Sequence, residues 1–378
     1  MVGAGLVLVK EVSVQNPRHA TVIHSPHSGR STQLSEALSY LQQAGVEVAR
    51  SISIAELDGL PPQGATWREQ GIDIAIAAGG DGIVGGVITH IAASGLPLGI
   101  MPLGTANDIA RSLRIPQNLH QAAEVIALGH EQAIDIGVAQ PAEQALHQAS
   151  LTQHGPVPYH VALQHHAFFA HVLTVGLNVE FARIATNVAT RKRFGRLTYP
   201  VAAIEVLRNH EALDVELHFD GLFLPPKHGF MHRNTTPAPI IEDEATTLRS
   251  HALQVTVVNA PIFGGRWQLA IPGASLSDRL LDIVVIEERE AGDLNTHLAR
   301  FFGAKEKEQQ AAAHEQEQYG TRHPAELTGI RGIHHVQAKG VTITTGADPR
   351  DVTLDGEVRG QTPMRVGVAD ERLRVLVP

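Results

Sequence analysis

IDIAIAAGGDGIVGGVITHIAASGLPLGIMPLGTANDIAR, residues 72–111, decides the fold. Ile72, Ile74 and Ile76 alternate with smaller residues over 72–78, the pattern of a strand. Gly79-Gly80-Asp81-Gly82 breaks it, and Val84, Val87, Ile88 and Ile91 then recur at helical spacing. PLGIMP (97–102) gives a second strand, and a helix over 108–114 follows it. Working outward, TVIHSP (21–26) reads as a strand, followed by a helix bearing Leu34, Leu38 and Leu41 that stops at Gly45, then by the strand VEVARSISI (46–54). Strand–helix alternation of this kind predicts an α/β domain with a parallel sheet and helices on both faces.

Between Gly82 and Ala106 there is no Asp, Glu, Lys or Arg, a length that could span a bilayer. Six glycines, Pro97 and Pro102 divide it into short elements, so no transmembrane segment is expected. The opening MVGAGLVLVKEV lacks the basic start and cleavage site of a secretory signal. Hydrophobic residues at 43% and charged residues at 18% of 378 exclude a disordered chain. A net charge of -9 disfavours a nucleic-acid binder. The absence of cysteine excludes disulfides, thiolate metal sites and a cysteine nucleophile, and fits a reducing cytoplasm.

After AIDIGVA (133–139) the texture changes to short β-rich runs: 171–179, 213–219, 253–260, 280–287, 341–345 and 372–378. They predict a second, mainly antiparallel domain. The expected division is 1–138 and 139–378, with insertions near 139–167, 221–250 and 303–332 and the C-terminal end able to return to the first domain. His160, His165, His166 and His171 cluster without zinc-ligand spacing and read as compositional. Arg191, Lys192, Arg193 and Arg196 form a dense basic run that reads as a solvated face.

The glycine turn falls where a strand meets a helix, and its uncovered amides beside a helix N-terminus favour phosphate. For the glycines alone a tight turn would suffice. Asp81 points further, because a carboxylate in a phosphate cradle needs Mg²⁺, a metal-held water or a hydroxyl as partner. The loop Met101–Arg111 ends the adjacent parallel strand, so it converges on the same crevice. Thr105, Asn107 or Asp108 could alternatively serve as a helix N-cap.

Strand-GGDG followed by PLGTANDIAR (102–111) resembles the diacylglycerol kinase catalytic domain, whose family includes sphingosine and ceramide kinases and bacterial-type lipid kinases. Ser25-Pro26-His27-Ser28-Gly29, Phe194–Tyr199, Asn259–Gly265 and Asp355-Gly356-Glu357 resemble further family segments in order. The resemblance implies a fold like that of NAD kinase and phosphofructokinase, with ATP in the crevice between the two domains. It also implies a lipid acceptor at a membrane surface, and a cytoplasmic protein peripheral at the inner membrane face. It places nucleotide contacts on Ser53, Gly79, Gly80, Asp81, Gly82, Ile83, Val84, Gly85 and Thr105, with Asp81 also serving catalysis. It makes Glu357 the general base, and implies a structural Mg²⁺ on the Asp278 carboxylate and the carbonyls of Ser275 and Leu280. The Asp278 turn reads equally well as an ordinary turn, and Asp355-Gly356 is by itself a hairpin signal.

The chain departs from the family pattern at four positions. Ile83 stands for a threonine, and Gly85 and Gly86 stand for asparagine and glutamate. Arg279 also replaces the glycine after Asp278. Two alternatives follow: a nucleotide-binding relic without turnover, and an NAD kinase-like enzyme, against which PLGTAND and Asp-Gly-Glu argue.

Overall fold

The computed structural model describes residues 18–25, 31–142, 167–177, 179, 212–223, 247–263, 269–271, 273–288 and 332–378. The first part runs β1 (Arg18–His24), α1 (Ser31–Gln43), β2 (Val46–Ser53), a 3-10 turn (Ile54–Glu56), α2 (Gly64–Glu69), β3 (Ile74–Gly79) and α3 (Asp81–Ile91). It continues with β4 (Leu98–Pro102), α4 (Asp108–Ser112), α5 (Leu119–Leu128) and β5 (His130–Ile134). β2, β1, β3 and β4 lie side by side and parallel. Two groups of helices flank them: α1 packs with α5, and α3 with α2 and α4. Ile74, Ile76, Ile88, Met101 and Ile126 fill the core between sheet and helices.

The second part holds β6 (Gly137–Pro141), β7 (Ala167–Phe169), β8 (Val172–Gly176), β9 (Leu213–Phe223) and β10 (Thr247–Val258). The ribbon β11 (Ile262–Phe263) and β12 (Leu269–Ala270) pairs separately. Then follow β13 (Leu281–Glu287), β14 (Ile333–Thr345), β15 (Asp351–Leu354), β16 (Glu357–Gln361) and β17 (Met364–Val368). Apart from that ribbon, these strands form one antiparallel sheet ordered β16-β15-β8-β10-β13-β14-β17-β6-β7. The long strands β10 and β14 each pair β13 through one half and β9 through the other. The sheet thereby folds back on itself around Leu217, Val257, Ile283, Ile343 and Met364.

Two stretches tie the parts together, the second being the return of the C-terminal end that the sequence left open. The run 133–139 is two strands in different sheets, because the chain turns at Asp135–Ile136. The last run, 372–378, is β18 (Leu373–Val377), and it belongs to the first sheet. β18 lies parallel to β4 and antiparallel to β5, completing six strands in the order β2-β1-β3-β4-β18-β5. Its Leu373, Val375, Leu376 and Val377 are buried in the first core, so their apolar pattern is satisfied equally well there. The chain therefore crosses between the sheets at 135–136 and again at 369–372.

Candidate active site

The carboxyl ends of the parallel strands carry the loops that form the crevice. β3 ends at Gly79 and α3 begins at Asp81, with Gly80 at its N-cap in extended backbone and no side chain capping the helix. The first amides of α3 are thus left for a ligand or water, at the positive end of the helix dipole. Gly80 lies against Gly104 of the next loop: a Cβ on Gly104 would sit 2.4 Å from Gly80 Cα, and one on Gly80 would sit 3.1 Å from Gly104 Cα. Only glycine allows the two loops to approach this closely.

Asp81 links the same two loops. Its Oδ1 accepts the Ile109 N–H at 2.9 Å, so it caps α4 from the neighbouring loop. Geometry therefore does use this carboxylate, contrary to the expectation that a purely structural turn would not need it. Its other oxygen faces no hydrogen-bond donor among the described residues. Asn107 is the N-cap residue of α4, yet its side chain does not cap it. It sits at φ 54° and braces the loop: Oδ1 accepts the Gly104 N–H at 2.9 Å, and Nδ2 donates to Gly104 O at 3.1 Å and to Gln117 Oε1 at 3.0 Å. Thr105 at the loop tip is exposed.

The second sheet supplies the opposite wall. Asp355 and Gly356, at φ 48° and 88°, form the two-residue turn between β15 and β16. Asp355 does more than turn the chain. Its carboxylate accepts the N–H groups of Ala170, His171 and Val172 at 2.9–3.0 Å. Burial pushes its carboxyl above the ordinary range, against the pull of His171 and of these three donors. The turn fixes Glu357 beside the glycine loop: a Cβ on Gly82 would lie 3.3 Å from Glu357 Oε1. Glu357 Oε2 is held by Arg359, whose Nε donates at 3.0 Å, leaving Oε1 toward the start of α3. The spacing of Glu357 and Arg359 by two residues places both on one face of β16.

The departures from the family pattern have local partners. A Cβ on Gly85 would meet Asp355 Oδ2 at 2.6 Å, and one on Gly86 would meet Ile54 Cδ1 at 2.9 Å. The bare face of α3 is where the Asp355 turn and the 3-10 turn settle. Ile83 covers Gly79, with its Cγ1 2.4 Å from where a Cβ would lie. Val84 is buried in the core, so within the predicted nucleotide stretch only its backbone can serve a ligand. Ser53 pairs with His24, and His24 with Ala78, which puts Ser53 on the crevice edge of the sheet. Its hydroxyl accepts the Ala55 N–H at 3.2 Å and caps the 3-10 turn.

The predicted metal loop lies at the junction of the sheets. The Asp278 carboxylate accepts the Leu280 N–H at 3.0 Å, and Ser275 Oγ accepts the Ser277 N–H at 3.2 Å. Burial, aided by the nearby charges of Asp282 and Asp135, pushes Asp278 up to about 6. A carboxylate this short of compensating charge suits a hard divalent cation. Among the described residues no group of three His, Asp or Glu could hold a metal, so the ligand set would rest on Asp278 and backbone oxygens. Arg279 stands at φ 64°, a conformation that costs a non-glycine residue on the order of 1–3 kcal/mol.

Of the other motifs, Pro26–Gly29, Phe194–Tyr199, Gly264, Gly265, the basic run 191–196 and His160, His165 and His166 lie outside the described residues. Asn259 is buried, and its Nδ2 donates to Asp135 O and Ala170 O at 2.9 and 2.8 Å. His171 bonds the Ile262 carbonyl at 2.9 Å and packs against Phe263 with the rings tilted by 38°. Arg359 was not singled out from the sequence, and Asp355 was singled out only within the Asp355-Gly356-Glu357 resemblance and as a hairpin residue. Arg359 carries a signal only once β16 is in register.

Residues 19–139 match the family model described as diacylglycerol kinase catalytic domain. Residues 171–314 match that of the YegS C-terminal NAD kinase beta sandwich-like domain. A diacylglycerol kinase of Staphylococcus saprophyticus is 23% identical, covering 96% of both chains. One of Staphylococcus aureus is 22% identical, covering 96% of this chain and 93% of its own. Crystal structures from Bacillus anthracis share the fold. One, of a candidate diacylglycerol kinase, has a TM-score of 0.62 at 19% identity and covers 98% of both chains. Another, of a diacylglycerol kinase, has a TM-score of 0.55 at 18% identity and covers 96% of this chain and 97% of that one. Fold, crevice and relatives together define a lipid kinase of two lobes, one a parallel α/β sheet and the other a folded antiparallel sheet. The first lobe carries the match to the diacylglycerol kinase catalytic domain, and the second lobe the match to the NAD kinase beta sandwich-like domain. No helix among the described residues is long and apolar enough to cross a membrane.

Proposed function

We propose that the protein transfers the γ-phosphate of ATP, in a Mg²⁺-dependent reaction, to a hydroxyl of diacylglycerol or a related lipid. The observation that carries this reading is the approach of Glu357 to Gly82, which brings a carboxylate from one lobe to the uncapped helix start of the other. The amides of Gly79–Gly82 and the start of α3 hold the phosphates, and Thr105 and Ser53 flank them on the neighbouring loops. Glu357 Oε1 takes the proton of the lipid hydroxyl as its oxygen bonds the γ-phosphorus. The bond from that phosphorus to the bridging oxygen breaks, and ADP leaves. Arg359 keeps the other oxygen of Glu357 occupied, so that Oε1 is the proton acceptor. Mg²⁺ bound with the nucleotide would neutralise phosphate charge, and the free oxygen of Asp81 is available to orient it. A second Mg²⁺ would be held by Asp278 with the carbonyls of Ser275 and Leu280, in a structural role.

Incubation with γ-labelled ATP and a panel of diacylglycerol, sphingoid and polyprenol acceptors tests the proposal. Label should appear in a chloroform-soluble product only with Mg²⁺ present. Absence of transfer to every acceptor would overturn it. The lipid acceptor brings the protein to a membrane surface from the cytoplasmic side, and vesicle co-sedimentation measures that step separately.

A further inference from the structure

Catalysis by Glu357 requires one lobe to be held in register over the other, and the two chain crossovers are where that register is set. Asp135, fully buried at the first crossover, accepts Arg372 Nε at 2.8 Å on one oxygen and the Arg279 N–H at 2.7 Å on the other. The Arg279 guanidinium reaches across to the second crossover, donating to Ala369 O at 2.9 Å and Asp370 O at 3.3 Å. It also lies 3.6 Å from Asp135 Oδ1. Arg372 returns the tie by donating to Ser277 O at 3.1 Å. The loop before β13 is thus bolted to both crossovers, and Asn259 and the Asp135 N–H, bonded to Leu276 O at 2.7 Å, complete the node.

Arg279 is the informative member. Its backbone at φ 64° favours glycine, so a side chain there needs a use that offsets the strain. The bonds to 369 and 370 supply one, since among the described residues no other group of the loop reaches those carbonyls. We propose that Arg279 is a positioning residue, a latch that fixes the angle between the lobes and so keeps Glu357 over Gly82. The catalytic half of this proposal rests on the reading of Glu357 as the base; the mechanical half does not.

The test uses Arg279→Gly, which relieves the backbone strain while removing the guanidinium. The chain has no cysteine, so spin labels at Ser39→Cys on α1 and Ala347→Cys between β14 and β15, both exposed, report the distance between lobes. The variant should keep its fold and bind ATP within about threefold of wild type. Its label-distance distribution should broaden, and kcat should fall by roughly 10- to 100-fold, the scale of a small misplacement of reacting groups. Arg279→Lys, which keeps a cation on the same backbone, should restore part of both. An unchanged distance distribution in Arg279→Gly would overturn the latch, and a broadened one with unchanged kcat would overturn its positioning role. If wild type phosphorylates no lipid, the kinase reading falls, and the distance distribution alone decides the latch.

Discussion

Gly104→Ala should damage this protein far more than its single added methyl suggests. The new Cβ would lie 2.4 Å from Gly80 Cα, 3.0 Å from Gly80 N and 2.6 Å from Asn107 Oδ1. Two of these atoms are backbone of the phosphate turn, which cannot rotate away. Overpacking of this kind costs about 1–3 kcal/mol, and displacing Asn107 from the Gly104 N–H adds about 1 kcal/mol. Gly104 is not at positive φ, so the penalty is steric rather than conformational. Gly82→Ala is the control: its Cβ meets only the end of the Glu357 side chain, at 3.3 Å, and stability should change by less than about 1 kcal/mol. Denaturant unfolding gives both values, and calorimetric titration gives ATP affinity. Gly104→Ala should lose about 2–4 kcal/mol and most of its ATP binding, because the two loops separate. Wild-type stability and affinity in Gly104→Ala would refute the idea that loop contact builds the nucleotide site.

Asp81→Ala removes the cap on Ile109 and should cost about 0.5–2 kcal/mol, seen in denaturant unfolding, together with the Mg²⁺ dependence of ATP binding. Asp81→Asn, which can still accept the Ile109 N–H, should recover the stability without the metal dependence. Gly85→Ala drives a Cβ to 2.6 Å from Asp355 Oδ2 and should push the hairpin outward, lowering kcat more than ATP affinity. Asp278 titrates near 6 in the folded chain, above its unfolded value. In metal-free buffer its contribution to stability is complete below about pH 4 and is lost as pH rises through about 6. Asp278→Asn should flatten that slope and abolish any thermal shift on adding Mg²⁺.

The first lobe was legible because its signals are local: alternating isoleucines end in glycines, and apolar helical spacing follows. The pairing of β18 was not, since LRVLV carries the same pattern whether it joins a parallel or an antiparallel sheet. The turn at Asp135–Ile136 was also hidden, because a strand that changes sheets keeps its apolar residues. At the site, GGDG and PLGTAND identified the loops. The roles inside them needed coordinates. Asp81 caps a helix of the other loop, and Asn107 braces its own turn without capping. Gly85 and Gly86 look like missing polar groups in the sequence, whereas in space they admit Asp355 and Ile54.

The most direct measurement of the central claim is single-turnover phosphorylation of diacylglycerol by wild type and Glu357→Gln at saturating Mg·ATP. Gln keeps the size of Glu357 and can still accept from Arg359, but it cannot take the hydroxyl proton. The account predicts ATP affinity within a few-fold of wild type and a transfer rate lower by roughly 10²–10⁴. Equal rates in the two proteins would contradict it, leaving Glu357 as an exposed strand residue beside a hairpin turn.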